Sequence, residues 1–281
     1  MVKYRLMSNN LWKTDENQPA WIEKGLDCCA ETRGEGFAKV YASALPDVIG
    51  LQEVSERMIE RIMSDLKNMG LPYALLEGKD TPIIYRTDKF EVLDYAFHLY
   101  SKKIDGLEGE FNNGNTKSYT IALFREKQEN KTFVFATTHL WWMSSNPEKW
   151  HYYPNSDEAR EHQIKLVANH VIEFSKKYDC PAVVVGDFNT TAESKAVQYL
   201  LNNGYANAHD VATEFACSDN GTHPCGPKGF EPYEPKDFAF AIDHLFVKGE
   251  GITVKRYERF INKEYELLSD HFPVYIDVEL G

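Results

Sequence analysis

Polar or ionisable side chains stand at the ends of six apolar segments of this chain. They are Asn10 in LMSNNLW, Glu53 in GLQEV, His139 in FATTHLWW, Asp187 and Asn189 in VVVGDFN, Asp243 in AIDHLFV, and Asp270 and His271 in LLSDHFPV. Each residue taken alone is equally well explained as a helix cap, a half-buried carboxylate or a core histidine. Six such ends together indicate that carboxylates, amides and imidazoles meet at one edge of a sheet, as a metal-assisted hydrolytic site requires.

Apolar runs predict the strands that would position these side chains. They cover residues 4–10, 47–52, 82–86, 90–99, 119–125, 132–139, 182–187, 242–248, 252–260 and 272–278. Helical spacing predicts helices within residues 37–44, 58–69 and 156–178, whereas residues 102–117 and 218–236 are rich in Gly, Asn and Pro and predict long loops. Because strands outnumber helices and no Pro/Gly/Ser-rich linker divides the chain, we expect one α+β domain over residues 1–281, with two packed sheets and helices outside them.

The composition narrows the class of partner. A net charge of −12 argues against a protein that binds mainly by neutralising a phosphate backbone, so nucleic acid is possible but not favoured. No run approaches the roughly 18 apolar residues of a membrane span. The first residues enter a strand pattern without a signal-peptide core, which favours a cytoplasmic location, although secretion stays open if a leader was removed. We expect a monomer.

The 5 cysteines are scattered, as a reducing compartment permits, and free thiols are the default expectation. Cys217 and Cys225 flank the segment SDNGTHP, so a disulfide between them is one alternative. A zinc site that also uses His223 is another, but a structural zinc site generally needs four ligands and only three residues cluster here.

Taken together and in this order, LQE, GDFN, IDH and SDHFPV resemble the endonuclease/exonuclease/phosphatase superfamily, the DNase I-like proteins. The resemblance runs from Asn10 to the end of the chain. It implies a four-layer α/β/β/α sandwich with two mixed β-sheets, in agreement with the order of predicted elements. It also implies hydrolysis of phosphoesters with Mg²⁺ or Mn²⁺.

The resemblance assigns roles to the matching positions. Glu53 matches the main metal-binding glutamate, with Asn10 and Asp270 as direct or water-mediated supports. Mg²⁺ prefers oxygen ligands and keeps several waters, so one or two carboxylates suffice. His271 matches the histidine that activates the attacking water or stabilises the phosphate, and Asp243 matches the carboxylate that orients this histidine.

Three further positions complete the implied site. Asp187 and Asn189 match the pair that positions the nucleophile and the phosphoryl oxygens. His139 matches a second histidine that contacts the phosphate or assists the leaving group. Whether Asp187 or His271 is the general base stays open. Trp12 stands where DNA-repair branches often carry an acidic residue, which argues against a repair-type second metal contact.

The segment after His139, WWMSSNPEKWHYYPNSDEAR, is unusually aromatic. It supplies candidate substrate contacts, namely Trp141, Trp142, Trp150, Tyr152, Tyr153 and Arg160. The alternative is a loop that packs on the rim of the sheet, with Arg160 on a solvated helix face.

The favoured function is divalent-metal-dependent hydrolysis of a phosphoester, with a small molecule or a lipid headgroup as substrate. An endonuclease or exonuclease is the first alternative. A non-catalytic binding module on the same fold is the second, and it is disfavoured because no expected site position is lost.

Overall fold

The structure is a computed structural model that describes residues 3–217, 221–223, 241–260, 265 and 267–281. Its strands are β1 (Lys3–Asn10), β2 (Val48–Gln52), β3 (Tyr73–Leu76), β4 (Ile83–Arg86), β5 (Phe90–Leu99), β6 (Ser118–Glu126), β7 (Thr132–His139), β8 (Ala182–Asp187), β9 (Ala206–Asn207), β10 (Glu214–Ala216), β11 (Asp243–Lys248), β12 (Ile252–Arg259) and β13 (Val274–Leu280). Its helices are α1 (Pro19–Glu23), α2 (Ala30–Ala44), α3 (Glu56–Asn68), α4 (Ser156–Tyr178), α5 (Lys195–Asn202) and α6 (Ala208–Val211).

The strands form two mixed sheets. In the described ranges, one is seven-stranded with the order β10-β12-β13-β1-β2-β4-β3, and the other is six-stranded with the order β5-β6-β7-β8-β11-β9. The pairs β1–β2 and β7–β8 are parallel, whereas most other neighbours are antiparallel. Apolar side chains from both sheets, including Leu6, Val48, Phe135 and Val185, pack into one shared core.

Helices cover the outer face of each sheet. Helices α2 and α3 pack on the outer face of the seven-stranded sheet through residues such as Phe37 and Ile62. Helices α4 and α5 pack on the six-stranded sheet through residues such as Val167 and Leu200. This arrangement confirms the predicted α+β fold as a four-layer α/β/β/α sandwich with two mixed sheets.

The two sheets approach closely near the ends of β2, β7 and β8. A Cβ atom added to Gly50 would lie 2.6 Å from Thr137 Cβ and 2.7 Å from Val185 Cγ2, so only glycine fits here. Beside it, Gln52 Nε2 donates a hydrogen bond to Thr137 Oγ1 at 2.8 Å, across the sandwich. Side chains that leave these strand ends therefore meet one another.

The sequence did not reveal every element. Strand β3, helix α5 and the short elements α1, β9, α6 and β10 fall outside the predicted segments. All six span eight residues or fewer, and a hydrophobic period is hard to recognise in so short a segment. The predicted loop at 102–117 contains no helix or strand. Of the predicted loop at 218–236, residues 218–220 and 224–236 lie outside the described residues. No helix in the described ranges has the length and apolar character of a membrane span.

Candidate active site

Strand ends deliver the candidate residues to one rim of the sandwich. Asn10 and His139 are the last residues of β1 and β7, and Asp187 is the last residue of β8. In the parallel pair β7–β8, His139 lies opposite Asp187. Strand β11 runs antiparallel to β8, so its first residue, Asp243, also lies opposite Asp187. Glu53 follows β2 directly, beside the end of β1.

The central contacts join the two sheets. Asn10 Nδ2 donates to Asp187 Oδ2 at 3.0 Å and to Glu53 Oε1 at 3.4 Å. His139 Nε2 lies 3.6 Å from Glu53 Oε1 and 3.5 Å from Asp187 Oδ2. Glu53, His139 and Asp187 thus each offer one ligand atom, and these atoms all lie within 4.8 Å of one another.

Unusual backbone conformations aim two of these segments at the rim. Glu53 has φ 54° and Asn189 has φ 52°, both in the left-handed region. Asparagine tolerates this region, whereas for glutamate it costs about 1–2 kcal/mol. The backbone N–H of Asn189 donates to Asp187 Oδ1 at 2.8 Å, and Asn189 Nδ2 donates to the carbonyl of Leu140 at 3.0 Å. Such outliers concentrate at functional sites.

His271 and Asp243 form a buried pair. His271 Nδ1–H donates to Asp243 Oδ2 at 2.8 Å, which leaves His271 Nε2 facing Asp187 Oδ2 at 3.9 Å. Burial lowers the pKa of His271, but the carboxylates of Asp243 and Asp187 outweigh burial and raise it to about 10. The Ser269 hydroxyl accepts the backbone N–H of His271 at 3.1 Å and donates to the Asn10 carbonyl at 2.7 Å, which fixes this loop on β1.

Asp187 is a buried carboxylate of the candidate site, with 1% of its surface exposed. Burial raises its pKa to about 7, and the negative charges of Asp243 and Glu53 add to the shift, while His271 and Lys117 oppose it. A divalent cation bound beside Asp187 would strongly favour the ionised form of this carboxyl group.

Lys117 is a site residue that the sequence analysis missed. Its ammonium donates a hydrogen bond to His139 Nε2, and the side chain is buried next to β6. Burial lowers the pKa of Lys117, while the carboxylates of Glu53 and Asp187 raise it. Burial and the Lys117 charge together lower the pKa of His139 well below its ordinary value. The only sequence signal was a lysine just before a buried strand.

Asn112 holds Lys117 in place. The backbone N–H of Lys117 donates to Asn112 Oδ1 at 2.9 Å, and Asn112 Nδ2 donates to the Lys117 carbonyl at 2.8 Å. The asparagine is fully buried and also donates to the carbonyl of Tyr100 at 2.7 Å. The irregular segment before β6 therefore presents its lysine in a fixed position.

His223 is a second residue whose place in the site was not foreseen. Its Nδ1 lies 3.1 Å from the Asp270 carbonyl, and its ring centre lies 4.4 Å from that of His271. In the described part of the chain, Asp270 groups with His223 and His271 and not with Glu53. Cys217 is exposed, and Cys225 lies outside the described residues, so the disulfide and zinc alternatives stay predictions.

The donor set fits a hard divalent cation. Glu53 and Asp187 provide carboxylate oxygens within reach of each other, as Mg²⁺ or Mn²⁺ prefers. Asn10 uses its Oδ1 to accept the backbone N–H of Trp12 at 2.9 Å, while its Nδ2 faces both carboxylates. In this arrangement Asn10 orients the two carboxylates.

The aromatic segment divides into a buried part and an exposed part. Trp141 is 1% exposed, packs edge-on against Phe111 and Tyr153, and its Nε1–H donates to Ser156 Oγ at 3.1 Å. It is a core residue, which corrects its assignment as a substrate contact. Tyr153 packs on the same cluster, and its hydroxyl accepts the backbone N–H of Glu110 at 2.9 Å. Trp142, Trp150 and Tyr152 are exposed.

Arg160 on α4 is buried and holds the start of this segment. Its Nη1 donates to the carbonyls of Trp141 and Met143 at 3.1 and 2.6 Å, and its Nη2 pairs with Asp157. The same residue lines a cleft of about 520 Å³, together with Trp142 and Asn189. Arg160 thus lies on a helix face that packs under the loop, not on a solvated face.

A sequence model of the endonuclease/exonuclease/phosphatase family matches residues 24–271. Protein angel of Drosophila melanogaster is 29% identical over 166 residues, which are 56% of this chain and 42% of that protein. The 2′,5′-phosphodiesterase 12 of Bos taurus is 23% identical over 242 residues, 75% of this chain and 38% of that protein. The chain thus spans less than half the length of these curated relatives.

The solved structure of a mannosyl-6-phosphatase of Bacteroides thetaiotaomicron superposes with a TM-score of 0.74, covering 98% of this chain and 99% of that one at 22% identity. At this identity the likeness bears on the fold alone, and it agrees with the two mixed sheets described above. The match to the family model covers most of the chain and includes Glu53, His139, Asp187, Asp243 and His271. The chain belongs to the endonuclease/exonuclease/phosphatase family, whose members are hydrolases that act on phosphoesters.

Proposed function

We propose that this protein hydrolyses a phosphoester with the help of a bound divalent cation, Mg²⁺ or Mn²⁺. The observation that carries the proposal is the contact group of Asn10, Glu53, His139 and Asp187, which joins both sheets and adjoins the buried Asp243–His271 pair. A group of this kind is costly to bury without a ligand or a function, because its carboxylates and imidazoles lose water.

Glu53 and Asp187 would hold the cation, with Asn10 orienting both carboxylates and Asp270 supporting the site from the side of His271. The cation supplies Lewis-acid polarisation of the phosphoryl oxygen. Asp187 Oδ2 and His271 Nε2 are 3.9 Å apart, so one water can contact both. Asp187 would accept the proton of this water as it attacks phosphorus, and the protonated His271 would donate a hydrogen bond to the water oxygen from Nε2. Asp243 holds the His271 ring in the required orientation through Nδ1.

The other polar groups would act on the phosphoryl oxygens and the leaving group. Asn189 positions the phosphoryl oxygens and Asp187, to which its backbone N–H is bonded. His139 and Lys117 form a buried polar pair at the same rim, where a positive charge stabilises the charge that accumulates on oxygen. In a site shielded from water, this stabilisation is larger than on the surface.

A small-molecule or lipid-headgroup ester is the favoured substrate, because a net charge of −12 opposes attraction of a polyanionic strand. Among the relatives, one name is that of a phosphodiesterase and another that of a phosphatase, so both kinds of ester belong in the assay. The nuclease alternative would show itself as preferential cleavage of an oligonucleotide. A binding module would show no turnover at all.

The test is hydrolysis of p-nitrophenyl phosphate and of bis(p-nitrophenyl) phosphate over a titration of Mg²⁺ and Mn²⁺. We expect metal-dependent turnover of at least one ester. Glu53→Gln should lower kcat/KM by about 100-fold or more and remove the metal-dependent rise in melting temperature, because the charge that holds the cation is lost while the shape is kept. Glu60→Gln, an exposed position on α3, is the matched control. Equal metal dependence in Glu53→Gln and wild type would contradict the assignment.

A further inference from the structure

A cleft of about 520 Å³ adjoins the proposed site. Its wall includes Asn189 and His223, both of which connect to the site. The Asn189 backbone N–H donates to Asp187 Oδ1, and the His223 ring lies 4.4 Å from the His271 ring. The volume lies within the roughly 300–1,000 Å³ that is common for ligand pockets. The cleft is therefore placed and sized to hold the part of the substrate that is attached to the phosphoryl group.

The wall of this cleft offers hydrogen-bond acceptors and donors side by side. The acceptors include the carboxylates of Asp157 and Glu193, and the hydroxyl groups include those of Thr190 and Thr191. A hydrogen bond from Thr191 lowers the pKa of Glu193, which keeps this carboxylate ionised at neutral pH. Ionised carboxylates only accept hydrogen bonds, so they select ligand groups that donate.

The charge of the wall disfavours a second anionic group. The wall carries two carboxylates, those of Asp157 and Glu193, and one guanidinium, that of Arg160. The guanidinium already pairs with Asp157, so the carboxylate of Glu193 is not neutralised by it. Among the described residues that line the cleft there is no lysine. A nucleic-acid strand would bring another phosphate towards these carboxylates, and like charges at short range repel strongly.

The cleft also contains an aromatic surface. Trp142 lines it with a side chain that is 39% exposed, which gives an apolar face for a flat or ring-shaped group.

We infer that this cleft binds the alcohol portion of the substrate and that this portion is a neutral, polyhydroxylated ring, as in a sugar phosphate. The inference rests on the proposed function, since it requires a phosphoryl group bound next to Asp187 and His271. Hydroxyl groups of the ring would donate to Glu193 and Asp157, and its apolar face would pack on Trp142.

The experiment measures competitive inhibition, which does not depend on whether the natural substrate is a monoester or a diester. Glucose 6-phosphate, mannose 6-phosphate, inorganic phosphate and a thymidine dinucleotide compete against the p-nitrophenyl ester that the enzyme turns over. We expect at least one hexose 6-phosphate to have an inhibition constant ten-fold or more below those of inorganic phosphate and the dinucleotide. In Trp142→Ala and in Glu193→Gln this advantage should fall to three-fold or less.

A matched control separates the cleft from general effects of the loop. Glu148→Gln changes an exposed residue of the same segment that does not line the cleft, and it should keep the hexose preference within two-fold of wild type. Hexose phosphates that bind no better than inorganic phosphate, tighter binding of the dinucleotide, or equal loss in the variants and the control would each overturn the inference. Those outcomes leave the proposed hydrolysis standing, which is overturned by a different result, namely absence of turnover of both p-nitrophenyl esters with either cation.

Discussion

The guanidinium of Arg33 on α2 should be a main support of the part of the site where we propose that a cation binds. The side chain is 1% exposed, and it donates to four backbone carbonyls: those of Leu11 at 3.2 Å, Trp12 at 2.7 Å, Thr14 at 2.9 Å and Leu268 at 2.9 Å. The first three follow the end of β1, and the fourth directly precedes Ser269 and the loop that carries His271. The buried guanidinium of Arg33 therefore links the two chain segments that flank the proposed metal-ion site.

The expected magnitude follows from those four bonds. Each buried carbonyl that loses its donor lowers the free energy of unfolding by about 1–3 kcal/mol. Removing the buried charge of Arg33 also removes its desolvation cost, which offsets part of this loss. Arg33→Met should therefore lower the free energy of unfolding by about 3 kcal/mol. Unfolding entropy is about 2.1 cal/mol/K per residue, or about 0.6 kcal/mol/K for 281 residues. The melting temperature should therefore fall by about 5 °C. Arg33→Lys should lower the melting temperature by less than Arg33→Met, because the lysine ammonium keeps some of the hydrogen bonds but cannot reach all four carbonyls.

Calorimetric melting curves test the stability, and half-saturation by Mg²⁺ or Mn²⁺ in the hydrolysis assay tests the link to the site. Arg57→Met is the matched control, because this arginine forms its ion pairs with Glu31 and Glu16 on the surface, where such pairs contribute little. We expect Arg33→Met to raise the half-saturating cation concentration and the control to leave it unchanged. A melting temperature like that of wild type would refute the structural argument. A lowered one with unchanged half-saturation would restrict Arg33 to the fold.

Three further predictions concern the site itself. Asp243→Ala and His271→Ala should each lower kcat/KM by a similar factor, and the double variant should be little worse than His271→Ala, since the two side chains act as one unit; fully additive losses would show that they do not. Lys117→Met should lower kcat by about 10- to 100-fold with a smaller change in KM, measured on the same p-nitrophenyl ester, and an unchanged kcat would remove Lys117 from the chemistry. Gly186→Ala should fold poorly in thermal melts, because its Cβ would lie 2.0 Å from the carbonyl oxygen of Thr138; normal melting would contradict the packing of β7 on β8.

The candidates that the sequence revealed are those whose position follows from strand geometry. Asn10, His139 and Asp187 end strands, and neighbouring parallel strands must bring such ends to one edge. Lys117 and His223 come from irregular segments, where no periodicity tells which side chain turns inward. Their place depends on contacts between distant parts of the chain, such as the Asn112 hydrogen bonds that hold Lys117.

The same limit explains the aromatic segment. Trp141 and Trp142 are adjacent and chemically identical, yet the first is buried against Phe111 and the second lines the cleft. Arg160, which holds the carbonyl of Trp141, lies on a helix that was predicted, but the burial of this face of the helix was not predicted. Composition indicated that an aromatic surface would lie near His139, and only the packing decided which rings form it.

The location of the site between the sheets has a physical consequence for its stability. Asn10 ends a strand of one sheet and Glu53 directly follows another strand of that sheet, whereas His139, Asp187 and Asp243 belong to the other sheet, so the proposed cation, held by Glu53 and Asp187, would bridge the sandwich. Without a cation, the carboxylates of the rim repel one another in a buried setting, and this repulsion opposes the close approach of the sheets. A bound cation would attract both carboxylates and so replace this repulsion with attraction. Its binding free energy would add directly to the stability of the folded sandwich. The close packing beneath the site, where only glycine fits at position 50, limits how far the sheets can separate to relieve the repulsion. The rim would therefore be held in a geometry that favours binding of the proposed cation before the cation arrives.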